Sequence, residues 1–390
     1  MYLRALKEKL LNLIKKFPIL AVLGPRQSGK TTLVKETFPN YAYANLENIN
    51  QRELAISDPP YFLKSYEKNG GLIIDEAQHA PGLFSYLQLE VDKKKDMGRY
   101  VLTGSQNFLL NEHVSQTLAG RVAIFDLLPL SIGELSLSSL LSGDLNENIF
   151  KGGYPAIYAR NLDPPDWSMN YIRTYLERDV RQMKNVNDLS TFQRFLKLCA
   201  GRIGQVINFS ELGRDCGISY QTVKAWISLL EASFIIFMLP PYYRNFSRRV
   251  VKSKKLYFID TGLACNLLQI ENSKQLINHY LRGGLFESYV ISDLIKQRCN
   301  RGKQPNCFFW RDDKGHEVDC ILELGGEINP IEIKATETIR KEFFKNLTYF
   351  SEISGANPRN TYLIYGGKEN QIRREGKVVG WPSINELYRS

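Results

Sequence analysis

The chain has 390 residues, of which 43% are hydrophobic and 24% charged, with 51 Lys and Arg against 41 Asp and Glu and a formal net charge of +10. Those fractions are those of a soluble globular protein, the length exceeds one ordinary core, and the charge biases partners toward nucleic acid or another acidic surface. Six cysteines (Cys199, Cys216, Cys265, Cys299, Cys307, Cys320) without a C-x-x-C and four scattered histidines exclude a zinc framework and read as reduced thiols in a cytoplasmic protein.

At the start of the chain Leu3, Leu6, Leu10 and Leu13 recur at helical spacing among Lys7, Glu8, Lys9, Lys15 and Lys16. The pattern predicts an amphipathic surface helix rather than a signal peptide. The most apolar runs, residues 19–23 and 234–239, are far shorter than a bilayer requires, so no membrane span is expected.

Ile19–Leu23 reads as a short buried strand, followed at once by Gly24-Pro25-Arg26-Gln27-Ser28-Gly29-Lys30-Thr31 and then by a helical start over 31–36. In the pattern G-x-x-x-x-G-K-[ST] the glycines let the backbone curl so that its N–H groups point at phosphates. Lys30 neutralises β/γ charge, the Thr31 hydroxyl ligates Mg²⁺, and the helix N-terminus adds partial positive charge. Gly24 to Thr31, with Thr32 behind, are therefore the expected ATP-binding residues.

The run Gly71-Leu72-Ile73-Ile74-Asp75-Glu76 is a buried strand that delivers two carboxylates to the carboxyl edge of a sheet. Asp75 is expected to hold Mg²⁺ through water, and Glu76 to polarise the attacking water as a hydrolase requires. The next strand, 99–102, ends in Thr103-Gly104-Ser105-Gln106, where either Ser105 or Gln106 would sense the γ-phosphate. Arg121, at the junction before the strand 122–127, reads either as an arginine finger reaching a neighbouring subunit in a homo-oligomer or as a surface arginine at a helix C-terminus.

Strands at 19–23, 41–45, 72–75, 99–103 and 122–127 predict a five-stranded parallel sheet with helices on both faces. On Gly24, Gly29, Lys30, Thr31, Asp75, Glu76 and Arg121 this part resembles the AAA+ ATPases, in the bacterial and archaeal branch whose ATPase domain is followed by a domain of unknown function. The stretches 128–135 (LPLSIGEL) and 152–155 (GGYP) resemble that family too, so the resemblance extends over nearly the whole chain. It implies ATP and Mg²⁺ as cofactors.

Residues 136–143 read as a link, and 166–184 as a helix carrying Trp167, Tyr171, Tyr175 and several arginines (Arg173, Arg178, Arg181), none singled out as a nucleotide contact. Further on, Ser210 is the expected cap of a helix over 211–216, Gly217 its terminator and Ser219 the cap of a second helix. Val223, Trp226, Leu229 and Leu230 would form that second helix's core face, leaving Tyr220, Gln221, Lys224 and Ser228 outward as major-groove reading requires. Strands at 234–239 and 255–259 then frame a connection carrying Arg244, Arg248, Arg249, Lys252, Lys254 and Lys255, the wing of a winged helix charged for DNA phosphates. A protein-docking or lid module is the other reading of the same pattern.

From 283 onward the sequence predicts a helix over 285–298 and strands Cys307–Arg311, Glu317–Leu324 and Glu327–Lys334, with turns at 312–315 and 325–326. A helix over 337–351 and a strand over 361–365 follow. Period-2 alternation puts Glu332 and Lys334 on one face and Ile331 and Ile333 on the other. Asp319 and Glu332 could share Mg²⁺, with Lys334 positioning a water and Glu287 completing the ligand set. Element order and motif resemble the PD-(D/E)XK nucleases, although Glu317-Val318-Asp319 stands where that family has Pro-Asp. An active nuclease and a nuclease-like fold kept for binding are both open readings.

The expected architecture is thus α/β throughout: an AAA+ P-loop domain (1–135), a helical lid or linker (136–190), a winged helix-turn-helix (191–270) and a restriction-endonuclease-like domain (271–390). The expected function is an ATPase acting on nucleic acid, with C-terminal DNA cleavage as an addition. The alternative is an ATP-dependent switch that docks a protein partner through an inert nuclease-like domain.

Overall fold

A computed structural model describes residues 2–66, 70–105, 117–176, 188–242 and 253–388. The chain divides into two compact units: Met1–Leu130 with Ala232–Phe234 and Arg298–Gln304, and Ser131–Glu231 with Ile235–Gln297 and Pro305–Ser390.

In the first unit β1 (Ile19–Leu23), β2 (Ala42–Asn45), β3 (Leu72–Asp75), β4 (Tyr100–Gly104) and β5 (Val122–Asp126) form one sheet in the order β2-β3-β4-β1-β5. Every pairing is parallel, as the spacing of the strands predicts. Alternation along β1 explains the two-sided burial. Ile19, Ala21 and Leu23 join Leu72, Ile74 and Leu102 in one core, while Leu20 and Val22 join Ile73, Val101, Leu33 and Val34 in the other. Parallel strands all present their carboxyl ends at one edge, so the loops after β1, β3 and β4 meet there. The first helix is Leu6–Leu13. Leu6 and Leu10 are buried in the second core, whereas Leu3 is 63% exposed and falls outside the stripe.

In the second unit residues 136–143 are not wholly a link. Ser131 and Glu134 form a reciprocal capping box that starts the helix Ile132–Leu137. The helix expected over 166–184 begins earlier, at Pro164–Tyr171 under an Asp163 cap, and continues as a π turn over Ile172–Leu176. Arg178 and Arg181 lie outside the described residues. The helix Leu189–Ala200 sets Phe192 and Phe195 edge-on against Trp226, with ring centroids 5.0 and 5.1 Å away.

The helix pair is Phe209–Cys216 and Tyr220–Ala232. Its first cap is Asn208, whose side chain accepts from Ser210 N and Glu211 N, and not Ser210 as expected. Gly217 ends that helix at φ +72°, and Ser219 Oγ accepts from Thr222 N to start the next. Strands β6 (Ile236–Leu239) and β7 (Lys255–Phe258) pair antiparallel. Arg244, Arg248, Arg249 and Lys252, the residues expected to form a DNA-binding wing, lie outside the described residues.

The helix expected over 285–298 runs longer, Arg282–Asn300, and precedes β8 (Cys307–Arg311), β9 (Glu317–Leu324) and β10 (Glu327–Lys334), three strands at the expected boundaries. With β11 (Tyr362–Tyr365), β12 (Gln371–Arg373) and β13 (Gly376–Gly380) they make a sheet in the order β12-β13-β11-β10-β9-β8. Strands β8, β9 and β10 meander antiparallel, then β10, β11 and β13 run parallel. The helix Lys345–Ser354 contributes Leu347 and Phe350 to a core with Trp310, Val318, Ile321 and Leu363. None of the six cysteines forms a disulfide, and all are buried. Among the described residues no helix is long and apolar enough to cross a membrane.

Candidate active site

The loop after β1 needs its glycines. Gly24 has φ +147°, and a Cβ there would stand 2.2 Å from the carbonyl oxygen of Leu127. Gly29 takes the left-handed conformation at φ +93° directly before the helix Lys30–Thr37. That sharp entry aims the first helical N–H groups back into the loop. Lys30 is buried, with Nζ donating to the carbonyls of Gly24 at 2.9 Å and Pro25 at 2.8 Å. Burial pushes its pKa down to about 8, against the pull of Glu76 and Asp75. Ser28 is fully buried and Arg26 nearly so, whereas Gln27 and Thr32 are exposed.

Asp75, at the end of β3, collects three hydroxyls. Thr31 Oγ1 donates to its Oδ2 at 2.8 Å, Tyr43 OH to the same oxygen at 2.7 Å, and Thr103 Oγ1 to Oδ1. Thr31 and Asp75 were expected together. Tyr43 and Thr103 were not, because only the adjacency of β2, β3 and β4 in the sheet brings them there.

Glu76 follows in the left-handed region at φ +53°, which turns its side chain away from the strand direction. Its Oε2 accepts from Gln78 Nε2 at 2.5 Å, Ser105 Oγ at 2.9 Å and Ser105 N at 3.2 Å. Burial alone would raise the carboxyl, but Lys30 and the hydrogen bonds from Gln78 and Ser105 outweigh it and hold Glu76 below the usual range. Ser105 therefore touches the carboxylate expected to activate water. Gln106 lies outside the described residues.

Arg121 departs from the picture of a free finger. Its Nε donates to Asp92 Oδ1 at 2.6 Å and its Nη2 to Asp92 Oδ2 at 2.7 Å, a bidentate pair within its own chain. Both arms of the fork are engaged, so a role in a neighbouring site requires this pair to exchange.

On the second unit's helix Tyr220–Ala232, Tyr220, Gln221, Lys224 and Ser228 face outward and Val223, Trp226, Ile227 and Leu230 are buried. Leu229, expected in the core, is only half-buried, and Ile227 takes its place. Tyr220 is 50% exposed and leans on Phe209, with ring centroids 5.9 Å apart.

The C-terminal sheet brings Glu287, Asp319, Glu332 and Lys334 into one cluster. The β9–β10 register sets Ile331 opposite Cys320, which makes Asp319 and Glu332 the next facing pair. Lys334 Nζ is 2.5 Å from Glu332 Oε1 and 3.5 Å from Asp319 Oδ2, and Ile333 N donates to Asp319 Oδ2 at 2.8 Å. Lys255, grouped with the basic wing on sequence, is instead only 2% exposed. Its Nζ lies 3.0 Å from Glu287 Oε1 and 2.5 Å from Glu317 Oε1, and Tyr257 OH donates to Glu287 as well.

Burial would lower the Lys255 pKa, but Glu287, Asp319 and Glu317 together raise it. Burial with Asp319 pushes Glu332 up to about 8, and burial, against Lys255, pushes Glu287 up to about 7. Among the described residues no group of three or more His, Cys, Asp or Glu side chains is placed to hold a metal ion. Glu287, Asp319 and Glu332, the carboxylates expected to hold metal, do cluster, and each has a lysine beside it: Lys255 at Glu287 and Lys334 at Asp319 and Glu332. Nothing local marks Lys255 for this role, since its partners come from the helix Arg282–Asn300 and from β9.

Comparison with known proteins places an AAA domain at residues 16–136, a domain of unknown function (DUF8612) at 142–274 and another (DUF4143) at 282–384. The uncharacterized proteins Rv2008c of Mycobacterium tuberculosis and Mb2031c of Mycobacterium bovis are each 30% identical over 327 residues, which span 82% of this chain and 71% of theirs. Among solved structures the Walker-type ATPase PABY2304 of Pyrococcus abyssi is similar at 17% identity and a TM-score of 0.38, covering 67% of this chain and 94% of that one. The RuvB Holliday junction branch migration motor of Thermotoga maritima is similar at 18% identity and a TM-score of 0.33, covering 61% and 90%. The phosphate loop, Asp75 and Glu76 all lie inside the AAA domain, which is of the P-loop ATPase type.

Proposed function

The chain belongs to one family with the two mycobacterial proteins, and from that premise we propose that it is a magnesium-dependent ATPase that acts on nucleic acid. The observation that carries the ATPase reading is the 2.8 Å contact between the Thr31 hydroxyl and the Asp75 carboxylate, flanked by Lys30 and an ionised Glu76. Thr31 and Asp75 offer hard oxygen donors of the kind Mg²⁺ takes alongside nucleotide phosphates and waters. When bound there, Mg²⁺ neutralises charge on the β- and γ-phosphates. The loop from Gly24 to Thr31, all but Pro25, wraps the phosphates with backbone N–H groups, and Lys30 leaves its carbonyl partners for phosphate oxygens. Glu76, pinned by Ser105 and Gln78, accepts a hydrogen bond from the attacking water and so polarises it, and Ser105 reports the γ-phosphate to it.

Nucleic acid as the substrate class is supported by the net charge of +10 and by Tyr220, Gln221 and Lys224 projecting from one helix face. The division into an ATPase domain, a helical link, a winged helix and a nuclease-like domain remains our reading of the chain. One observation favours the second reading, a switch with an inert C-terminal domain: the buried Lys255 pairs with Glu287, one of the carboxylates a nuclease would need for metal. The test is steady-state ATP hydrolysis by purified protein with Mg²⁺, with and without DNA. Turnover that rises with DNA and collapses in Glu76→Gln supports the proposal. Turnover indifferent to DNA sinks the nucleic-acid part, and absence of turnover in the unaltered protein sinks the whole.

A further inference from the structure

Four carboxylates and two lysines meet around Asp319 in the second unit. Lys255 Nζ bridges Glu287 Oε1 at 3.0 Å and Glu317 Oε1 at 2.5 Å, and Lys334 Nζ bridges Glu332 Oε1 at 2.5 Å and Asp319 Oδ2 at 3.5 Å. Lys255 is not a surface side chain that wandered in, since it is the first residue of β7 and its ammonium is enclosed. An Mg²⁺ ion requires near-octahedral oxygens at about 2.0–2.1 Å and would have to share these carboxylates with an ammonium already in contact with them. Two cations in one enclosed space repel, and the lysine, being covalently attached, cannot diffuse away.

We propose that Lys255 occupies the cation position of this cluster, so that the C-terminal sheet carries a metal-free ion cluster in place of a nuclease centre. The ammonium joins β7 to the helix Arg282–Asn300 through Glu287 and to β9 through Glu317. Its function is to fasten the β6–β7 pair to the C-terminal sheet. Its counter-ions are Glu287 and Glu317, while Asp319 and Glu332, the pair that resembles a cleavage motif, take Lys334. Glu332 Oε2 is buried without a hydrogen-bond partner, which makes Glu332 the group most exposed to metal once the lysine is removed.

The test is Mn²⁺ binding by nucleotide-free protein, read from the loss of the free-ion EPR signal, and it is independent of the ATPase reading. Unaltered protein and Asp319→Asn are expected to retain the same Mn²⁺, because neither offers a site in the second unit. Lys255→Met is expected to retain one further equivalent, which Lys255→Met combined with Asp319→Asn loses. With Mn²⁺ at about 100 times its dissociation constant, the Tm of Lys255→Met would rise by a few degrees. Lys255→Gln, which keeps a donor for Glu287, replaces the methionine variant should that fail to fold. Mn²⁺ held by the unaltered protein and released by Asp319→Asn overturns the proposal, and so does a folded Lys255 variant that gains no Mn²⁺.

Discussion

The Tyr43 hydroxyl donates to Asp75 Oδ2 at 2.7 Å, onto the same oxygen that takes the Thr31 hydroxyl at 2.8 Å. Lys35 Nζ lies 3.4 Å from the centre of the Tyr43 ring, so the tyrosine is itself held from the helix that follows the phosphate loop. A carboxylate steered by an aromatic hydroxyl on the neighbouring strand keeps one orientation without a rigid backbone to enforce it. Removing the hydroxyl while keeping the ring isolates that contribution. Tyr43→Phe is expected to leave nucleotide affinity nearly unchanged and to raise the Mg²⁺ concentration for half-maximal turnover about tenfold, the equivalent of about 1.4 kcal/mol for a hydrogen bond to a charged group. An unchanged Mg²⁺ requirement would show that Thr31 and Thr103 alone orient Asp75.

Glu76 makes a sharper demand. Its carboxylate is held by Ser105 and Gln78, on a backbone in the left-handed region at φ +53°. Glu76→Gln is expected to bind ATP at unaltered affinity and to lose turnover by about 10² or more, while Ser105→Ala loses less than that. Pre-steady-state measurement of the chemical step checks both, and a Ser105→Ala loss as large as that of Glu76→Gln would overturn the assignment of Ser105 to positioning and sensing rather than to water activation.

The buried Lys30 predicts a pH-dependent proton count. Its pKa is lowered to about 8 by burial, below the unfolded value of 10.5. Between those values the folded protein binds fewer protons than the unfolded chain, so this group adds stability as pH rises through 8 toward 10.5. Nucleotide phosphates favour the charged amine. MgATP binding is therefore expected to take up close to one proton at pH 9 and almost none at pH 7. Calorimetric titration in buffers of different ionisation enthalpy reads that number directly, and equal uptake at both pH values would refute the assignment.

Arg121 and Asp92 offer a test of the finger. Asp92→Asn removes the charge that holds the guanidinium at home. If Arg121 completes a neighbouring site, Asp92→Asn raises turnover per subunit in a manner that depends on protein concentration, and Arg121→Ala abolishes that dependence. Turnover independent of concentration in all three proteins assigns Arg121 to its own chain.

On the second unit Lys224→Ala is expected to weaken DNA binding across unrelated sequences and to reduce the slope of log affinity against log salt by about one. Tyr220→Ala should weaken binding without changing that slope. A salt slope identical in Lys224→Ala and the unaltered protein would point to a protein partner for this face.

Local patterns were legible where one residue type is compelled by geometry. The strands β8, β9 and β10 fell at their expected boundaries because glycine-containing turns punctuate them. Capping was less legible: Asn208 and Ser210 are both good caps, and the choice depends on where the incoming chain turns. Strands β12 and β13 escaped notice because three or five residues of mixed polarity carry no period to read.

What the sequence determined by itself was the phosphate loop and the two carboxylates after β3, since both are contiguous and their chemistry resides in neighbouring residues. The parallel sheet followed from runs of apolar residues at crossover spacing. Tertiary structure alone decided what touches Asp75 and what balances Glu287. Tyr43 reaches Asp75 across 32 positions and Thr103 across 28, and Lys255 reaches Glu287 across 32. A lysine in a basic stretch looks solvated until the fold brings carboxylates to it. Burial then turns a surface charge into the cation of an enclosed cluster, because an ammonium taken out of water is stable only beside its counter-ions.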